Sequence, residues 1–401
     1  MKWASALKYL PINYDGRVAT VRDQTQRVSF DNNLNGSRIR LRFSNRYSKT
    51  PLCLKRVTVG VADGDSVLNT AAVTLGGSER ITLKPGQEIF SDEISYTAHA
   101  GERLAVNIYI DQAQDIGNIC CLWAKTNALA SLGAGDRTDG QAFRKVEPDN
   151  ILPMIRDDAL PDQMMFFFGF DALQVYTGDE VKVVAAFGDS ITHMSYMTNA
   201  LGKRLYAAFP GRVTLINSGM GGNRLMHDGT YVEETPQLAS VFGTAGVKRF
   251  ERDVFEIDRV DSVLSLIGIN DIMHPIVLEK SMETTSAEEI IEGYRMIAEI
   301  AHAHGAGIYA GTIMPDGCDE YSESYMSVME KSRLSVNSYI RQGNDFDGYY
   351  DFDRALRDPE RPGYMLPDVH LGDGLHPNVK GGEMAAGAVD IAELTGLSRE
   401  R

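Results

Sequence analysis

The run VVAAFGDSIT at residues 183–192 is apolar until it stops at Gly-Asp-Ser. A buried strand that ends on an acid and a hydroxyl points to chemistry only if a base is available, because a serine hydroxyl is a weak nucleophile by itself. Asp373 and His376 stand three apart in GDGLHPN, residues 372–378, close to the far end of the chain. A carboxylate at that spacing can hold an imidazole in one tautomer while the other ring nitrogen takes the proton of Ser190. LINSGMGGNR at 215–224 ends another apolar run in glycines, whose N–H groups can face an anion. SLIGIND at 265–271 ends a third on Asn270 and Asp271. An asparagine amide placed there can donate to a developing oxyanion, an interaction typically worth ~3–4 kcal/mol.

Each signal also has a plainer explanation. Asp189 and Ser190 are favoured helix N-caps. The glycines suit an ordinary turn, Asn270 suits an Asx-turn, and an Asp–His pair is common in polar loops. DVHLGDGLH, with Asp368 and His370 ahead of the other pair, admits a metal site, although no HExxH-like helical pair supports one. Ser190 does not lie in a GxSxG elbow, which disfavours the α/β-hydrolase arrangement.

The elements that must carry these residues fall into two halves. Residues 1–176 read as β-rich: SRIRLRF (37–43) alternates Arg38, Arg40 and Arg42 with Ile39, Leu41 and Phe43, and LKRVTVGVA and ERLAVNIYI repeat the pattern. Turn sequences such as NNLNGS, ADGD, LGGSE and KPGQE break the runs at short intervals. These features predict an all-β sandwich, jelly-roll-like, closed by a heavily buried strand at 164–176, with TGDE (177–180) as the boundary. From 181 to 396 short apolar runs alternate with helical stretches, from VKVVAAF and MTNALGKRLYAAF to a last helix over KGGEMAAGAVDIAEL. That rhythm predicts an α/β domain with a mostly parallel, three-layer sheet, whose functional loops follow the carboxyl ends of the strands.

Composition narrows the function. The chain has 401 residues, 43% hydrophobic and 24% charged, with a net charge of −15. An acidic surface disfavours nucleic acid and anionic membranes as partners. No 18-residue apolar stretch exists, and the opening residues lack a secretory pattern, so the expected location is cytoplasmic. Cys53, Cys120, Cys121 and Cys318 show neither CxxC nor zinc-ligand spacing and are expected to be reduced thiols.

Taken in order, FGDSIT, NSGMGGN, GIND and DGLHPN resemble the four blocks of the SGNH (GDSL-type) hydrolase family, over about 180–395. The resemblance implies a flavodoxin-like αβα domain that needs no cofactor and no metal. It also implies roles: Ser190 as nucleophile, Asp373 and His376 completing the triad, and Ser190, Gly222 and Asn270 as oxyanion donors. Gly222 is assigned by the family's spacing, five residues after Asn217. Asp189 is left to hold the turn. GNRLMHDG (222–229) and FERDVF look like a bacterial two-domain subgroup with a β-rich N-terminal domain. Many of those relatives continue the first block with Asp-Gly, whereas this chain has His193 and Met194. His193, Met194, Arg224 and His227 are therefore candidate substrate-pocket residues, or loop residues without consequence.

The expected activity is hydrolysis of short acyl esters, O-acetyl groups on carbohydrate first, by analogy with families in which an accessory β-sandwich binds sugar. A short-chain carboxylesterase, lipase or thioesterase on a non-sugar substrate is the alternative. A non-catalytic carbohydrate-binding protein is a remote one, since nucleophile, base, acid and donors are all present. The substrate is expected to be a small molecule or an oligosaccharide, and oligomeric state is left open.

Overall fold

The computed structural model describes residues 1–124, 127–155, 164–343 and 345–398. They divide into two compact units, 1–181 with 206–216, and 182–205 with 217–401. The sequence places 206–216 with the second half. In the structure the Asn33 amide donates to the carbonyls of Phe209 and Val213 at 3.0 and 2.8 Å, and the Thr214 hydroxyl donates to the Ser5 carbonyl at 2.7 Å. These bonds satisfy buried backbone groups that periodicity cannot reveal.

The first unit is built from antiparallel strands. One sheet of seven strands is centred on Gly36–Ser44 and Met165–Thr177, and one of six contains Gln24–Asp31, Arg103–Ile110 and Arg56–Asp63. Gln26 ties the two sheets together: its amide donates to the Phe168 carbonyl at 3.0 Å and accepts from the Phe168 N–H at 2.8 Å. Ile39, Leu41 and Phe43 are buried as alternation requires. The opposite face is not uniformly solvated. Arg42 is buried and forks onto Asp171, with Nε and Nη2 at 2.8 and 2.7 Å from the two carboxylate oxygens. Period-2 alternation identifies two faces without saying that the polar one is wet.

In the second unit, strands Lys182–Gly188, Ser262–Leu266, Gly307–Gly311 and Gly348–Tyr350 run parallel in that order. Val183 to Phe187 are fully buried, the continuous apolar run expected of a strand covered on both faces. Helices Gly246–Phe255, Ala287–Ala303 and Glu323–Gln342 alternate with these strands. Ser286 and Glu289 form a reciprocal capping box at the start of the second of these helices. The expected last helix is two helices, Val379–Gly387 and Ile391–Thr395, because Asp390 accepts from the N–H groups of Ala392 and Glu393 and restarts the winding. Among the described residues no helix is long and apolar enough to cross a membrane.

Candidate active site

Parallel strands end on one edge of their sheet, so Gly188, Leu266 and Gly311 deliver their following loops to the same side. Ser190 opens the one-turn helix Ser190–His193, with Asp189 as N-cap accepting the Ile191 N–H at 3.0 Å. The need for glycine at 188 is steric rather than a matter of the turn's dihedrals. A Cβ there would strike the Leu266 carbonyl and the Thr192 side chain, and Gly188 does not adopt positive φ. Gly222 does adopt positive φ, +69°, and a Cβ on it would enter the Phe242 ring.

The structure brings Ser190, His376 and Asp373 together. The His376 Nε2 lies 2.8 Å from the Ser190 Oγ, and its Nδ1 lies 2.6 Å from an Asp373 oxygen. The other Asp373 oxygen accepts the N–H groups of Leu375 and His376, both at 3.0 Å. Burial by itself would raise the Asp373 carboxyl. The His376 hydrogen bond and charge, helped by those two N–H groups, outweigh it and hold the carboxyl down to about 2. An ionised Asp373 can only accept, so Nδ1 carries a proton, and in the neutral ring Nε2 is left as the acceptor facing the serine hydroxyl.

Two carboxylates behind the serine behave in the opposite way. Burial pushes Asp189 up to about 7 and Asp271 up to about 6, although each receives backbone N–H groups. Asp271 accepts from Leu225 and Met226 at 2.6 and 2.9 Å, fastening the GIND turn to the loop that follows Gly222. Asn270, also buried, donates one amide hydrogen to the Asn223 carbonyl at 3.0 Å and keeps a second.

Sequence reasoning missed Arg249. This fully buried residue donates from Nη2 to the Gly188 carbonyl at 2.7 Å, from Nη1 to the Ser218 carbonyl at 3.0 Å, and from Nε to the Asn223 side-chain oxygen at 2.8 Å. One guanidinium thus fixes the ends of two strands at the nucleophile turn, with Asp253 balancing its charge one helical turn on. The available signal was an Arg and an Asp four apart on the apolar face of GVKRFERDVF.

The candidate pocket residues take supporting places. His193 is buried, and its Nδ1 accepts the Gly221 N–H at 3.2 Å, so it underlies the glycine loop. Met194 is buried too. Arg224 is buried against Glu283 at 2.8 Å, and His227 is half-buried near Glu289. In the sequence that suggested a metal site, His370 Nδ1 accepts the N–H groups of Gly372 and Gly374, both at 3.1 Å, and Asp368 pairs with Lys380.

The sequence profile of the family described as GDSL-like lipase/acylhydrolase matches residues 186–384. Residues 186–384 belong to that family. The match to an acylhydrolase family supports a carboxylic ester hydrolase. Solved structures similar to this chain include an acetyl xylan esterase from Geobacillus stearothermophilus, 20% identical with a TM-score of 0.40, covering 55% of this chain and 97% of that one. An alpha/beta hydrolase enzyme from the metagenome of Lake Arreo, Spain, is 20% identical with a TM-score of 0.39, covering 54% and 95%. A GDSL-like lipase from Bacteroides thetaiotaomicron is 16% identical with a TM-score of 0.38, covering 53% and 87%. Comparison with curated proteins gives no match.

Proposed function

We propose that the GDSL-like domain is a serine esterase that releases short acyl groups, acetyl first, from carbohydrate esters. The observation that carries the reading is the Asp373–His376–Ser190 relay at 2.6 and 2.8 Å. In this mechanism the Ser190 Oγ attacks the acyl carbonyl carbon and passes its proton to the His376 Nε2. The carbonyl oxygen becomes an oxyanion held by the N–H groups of Ser190 and Gly222 and by the second amide hydrogen of Asn270. Collapse breaks the bond to the alcohol oxygen, which takes the proton from His376. Water, deprotonated by His376, then attacks the acyl-serine, and the departing Ser190 oxygen recovers that proton.

A short acyl group is favoured by what stands beside the donors. Phe242 packs on Gly222, with its ring centroid 4.9 Å from that of His274, one turn beyond Asn270 on the same helix. The unbridged cysteines Cys53, Cys120, Cys121 and Cys318 support a reducing, cytoplasmic location.

The test is acyl-chain preference on p-nitrophenyl acetate, butyrate and octanoate, followed by acetate release from acetylated oligosaccharides, with Ser190→Ala as the control. Acetate preference together with release from the sugars is expected. Preference for octanoate with the sugars untouched would transfer the reading to a lipid or thioester substrate. Failure of an organophosphate to label Ser190 would leave the non-catalytic sugar-binding alternative.

A further inference from the structure

We propose that Tyr321, Tyr325 and Asp316 form the subsite for the alcohol half of the ester, shaped for a hydroxylated six-membered ring such as a pyranose. The proposal rests on the reading of Ser190, His376 and Asp373 given above.

The place of these residues follows from topology. Residues 312–322 leave the carboxyl end of the strand Gly307–Gly311, on the edge where Ser190 stands. They seat against the loop that carries the base and the acid. A Cβ on Gly374, next to Asp373, would meet the Gly317 carbonyl, and the Gly317 N–H donates to the Gly363 carbonyl at 3.0 Å. Because His376 must hand its proton to the leaving alcohol, that alcohol lies on this side of the serine. Gly222 and Asn270 receive the acyl oxygen.

The surface offered there suits a sugar. Tyr321 and Tyr325 are half-buried, with ring centroids 4.3 Å apart and planes inclined by 41°. The Tyr321 N–H is held by the Cys318 carbonyl at 3.1 Å, and the Tyr325 N–H by the Ser322 hydroxyl at 3.2 Å. A pyranose has an apolar C–H face, which an aromatic face accepts, and a rim of hydroxyls that need polar partners. One such partner is present. Asp316 is 2% exposed, and its Oδ2 has no hydrogen-bond partner among the described residues. Buried polar oxygens left unpaired cost free energy, which a ligand hydroxyl would relieve. Burial first raises both phenols; their mutual hydrogen bond lowers Tyr321 and raises Tyr325, and nearby charges including that of Asp316 raise both. The charge of Asp373 also reaches Tyr321. The aromatic pair therefore stands within electrostatic range of the buried acid, and Tyr321 within range of the triad acid as well.

The experiment compares three acetates on wild type, Tyr321→Ala and Asp316→Asn: mono-O-acetylated methyl β-D-glucopyranosides, cyclohexyl acetate and ethyl acetate. Tyr321→Ala is expected to lower kcat/KM for both ring esters relative to ethyl acetate by roughly tenfold, mainly through KM. Asp316→Asn is expected to lower only the glucoside ester, again roughly tenfold, because cyclohexyl acetate has no hydroxyl to offer. Binding of methyl β-D-glucopyranoside itself, followed by titration calorimetry on Ser190→Ala and on Ser190→Ala/Tyr321→Ala, reads the subsite without any turnover. Weaker binding in the double variant supports the subsite even if the nucleophile assignment fails. Loss of all three activities in Ser190→Ala confirms that assignment separately. The subsite is overturned if the ester ratios stay within twofold of wild type in both variants, or if Tyr321→Ala leaves glucoside binding unchanged.

Discussion

Asp189 and Asp373 are both aspartates of the Ser190 site, and the fold treats them oppositely. Asp189 is adjacent to the serine in sequence, 1% exposed, and pushed up to about 7 by burial. Asp373 sits on an exposed loop, and His376 holds it down to about 2. The buried acid spends its carboxylate on capping a one-turn helix, while the exposed one is charged and aimed at the imidazole. Proximity in sequence therefore does not select the acid that meets the histidine beside the serine. The group that stays ionised against the histidine is the one that can stabilise an imidazolium.

The largest effects test the relay itself. Ser190→Ala and His376→Ala are each expected to lower kcat by roughly 10⁴- to 10⁶-fold with the circular dichroism spectrum unchanged. Asp373→Asn should follow at roughly 10⁴-fold, because an amide can stabilise the wrong imidazole tautomer and no longer offers a charge. If Asp189→Asn gave the larger loss of the two, the assignment of the acid would be reversed. The same contrast appears in acid. Asp373 has a folded pKa below its unfolded value, so its contribution to stability is full above about pH 4 and is lost as pH falls through about 2. The midpoint of acid unfolding in Asp373→Asn should lack that component.

A smaller effect separates donor from scaffold. Asn270→Ala is expected to cost roughly 10²- to 10³-fold in kcat, the size measured for one side-chain oxyanion donor elsewhere. It also removes the bond to the Asn223 carbonyl, so thermal stability must be read beside kcat. Asn270→Asp is isosteric but acceptor-only when ionised, and should impair kcat at least as much. If that variant retained activity, the amide would be a structural bond only.

The parts legible in the sequence are those where one residue type has one local reason. The four polar strand ends could be read because a buried parallel strand is apolar throughout and its end is abrupt, as in VVAAFGDS. The β-rich first half could be read from alternation, and most helices of the second from their apolar period. What could not be read depends on long-range satisfaction of polar groups. Arg249 looks like a surface arginine on an amphipathic helix, yet it holds Gly188, Ser218 and Asn223. Arg42 looks like the wet face of a strand but pairs with Asp171. The helix Ile269–Val277 contains Pro275 and begins on Gly268 at φ +122°, so neither propensity nor a capping residue announces it. The short strand Gly348–Tyr350 carries too few residues for any period to show.

The smallest expected effect is the one that most sharpens the contrast between the two acids. Asp189→Asn keeps an oxygen for the Ile191 N–H, so the cap survives, and kcat should stay within a few-fold of wild type. Stability should change with pH instead. The folded pKa of about 7 lies above the ordinary value near 4, so the folded protein holds this proton more tightly than the unfolded chain. Stability from this group is therefore complete below about pH 4, declines as pH rises towards 7, and is level beyond it. Asparagine has no proton to lose. The difference in Tm between variant and wild type should thus grow in the variant's favour from pH 4 to pH 7, and then stop growing. Asp271, pushed up to about 6, is coupled to Asp189 by charge, so the comparison is repeated in an Asp271→Asn background to isolate the Asp189 component. A flat difference would mean that Asp189 is charged in the folded protein at pH 4, which its burial opposes. A large loss of kcat with a flat difference would make Asp189 a working carboxylate and erase the distinction from Asp373.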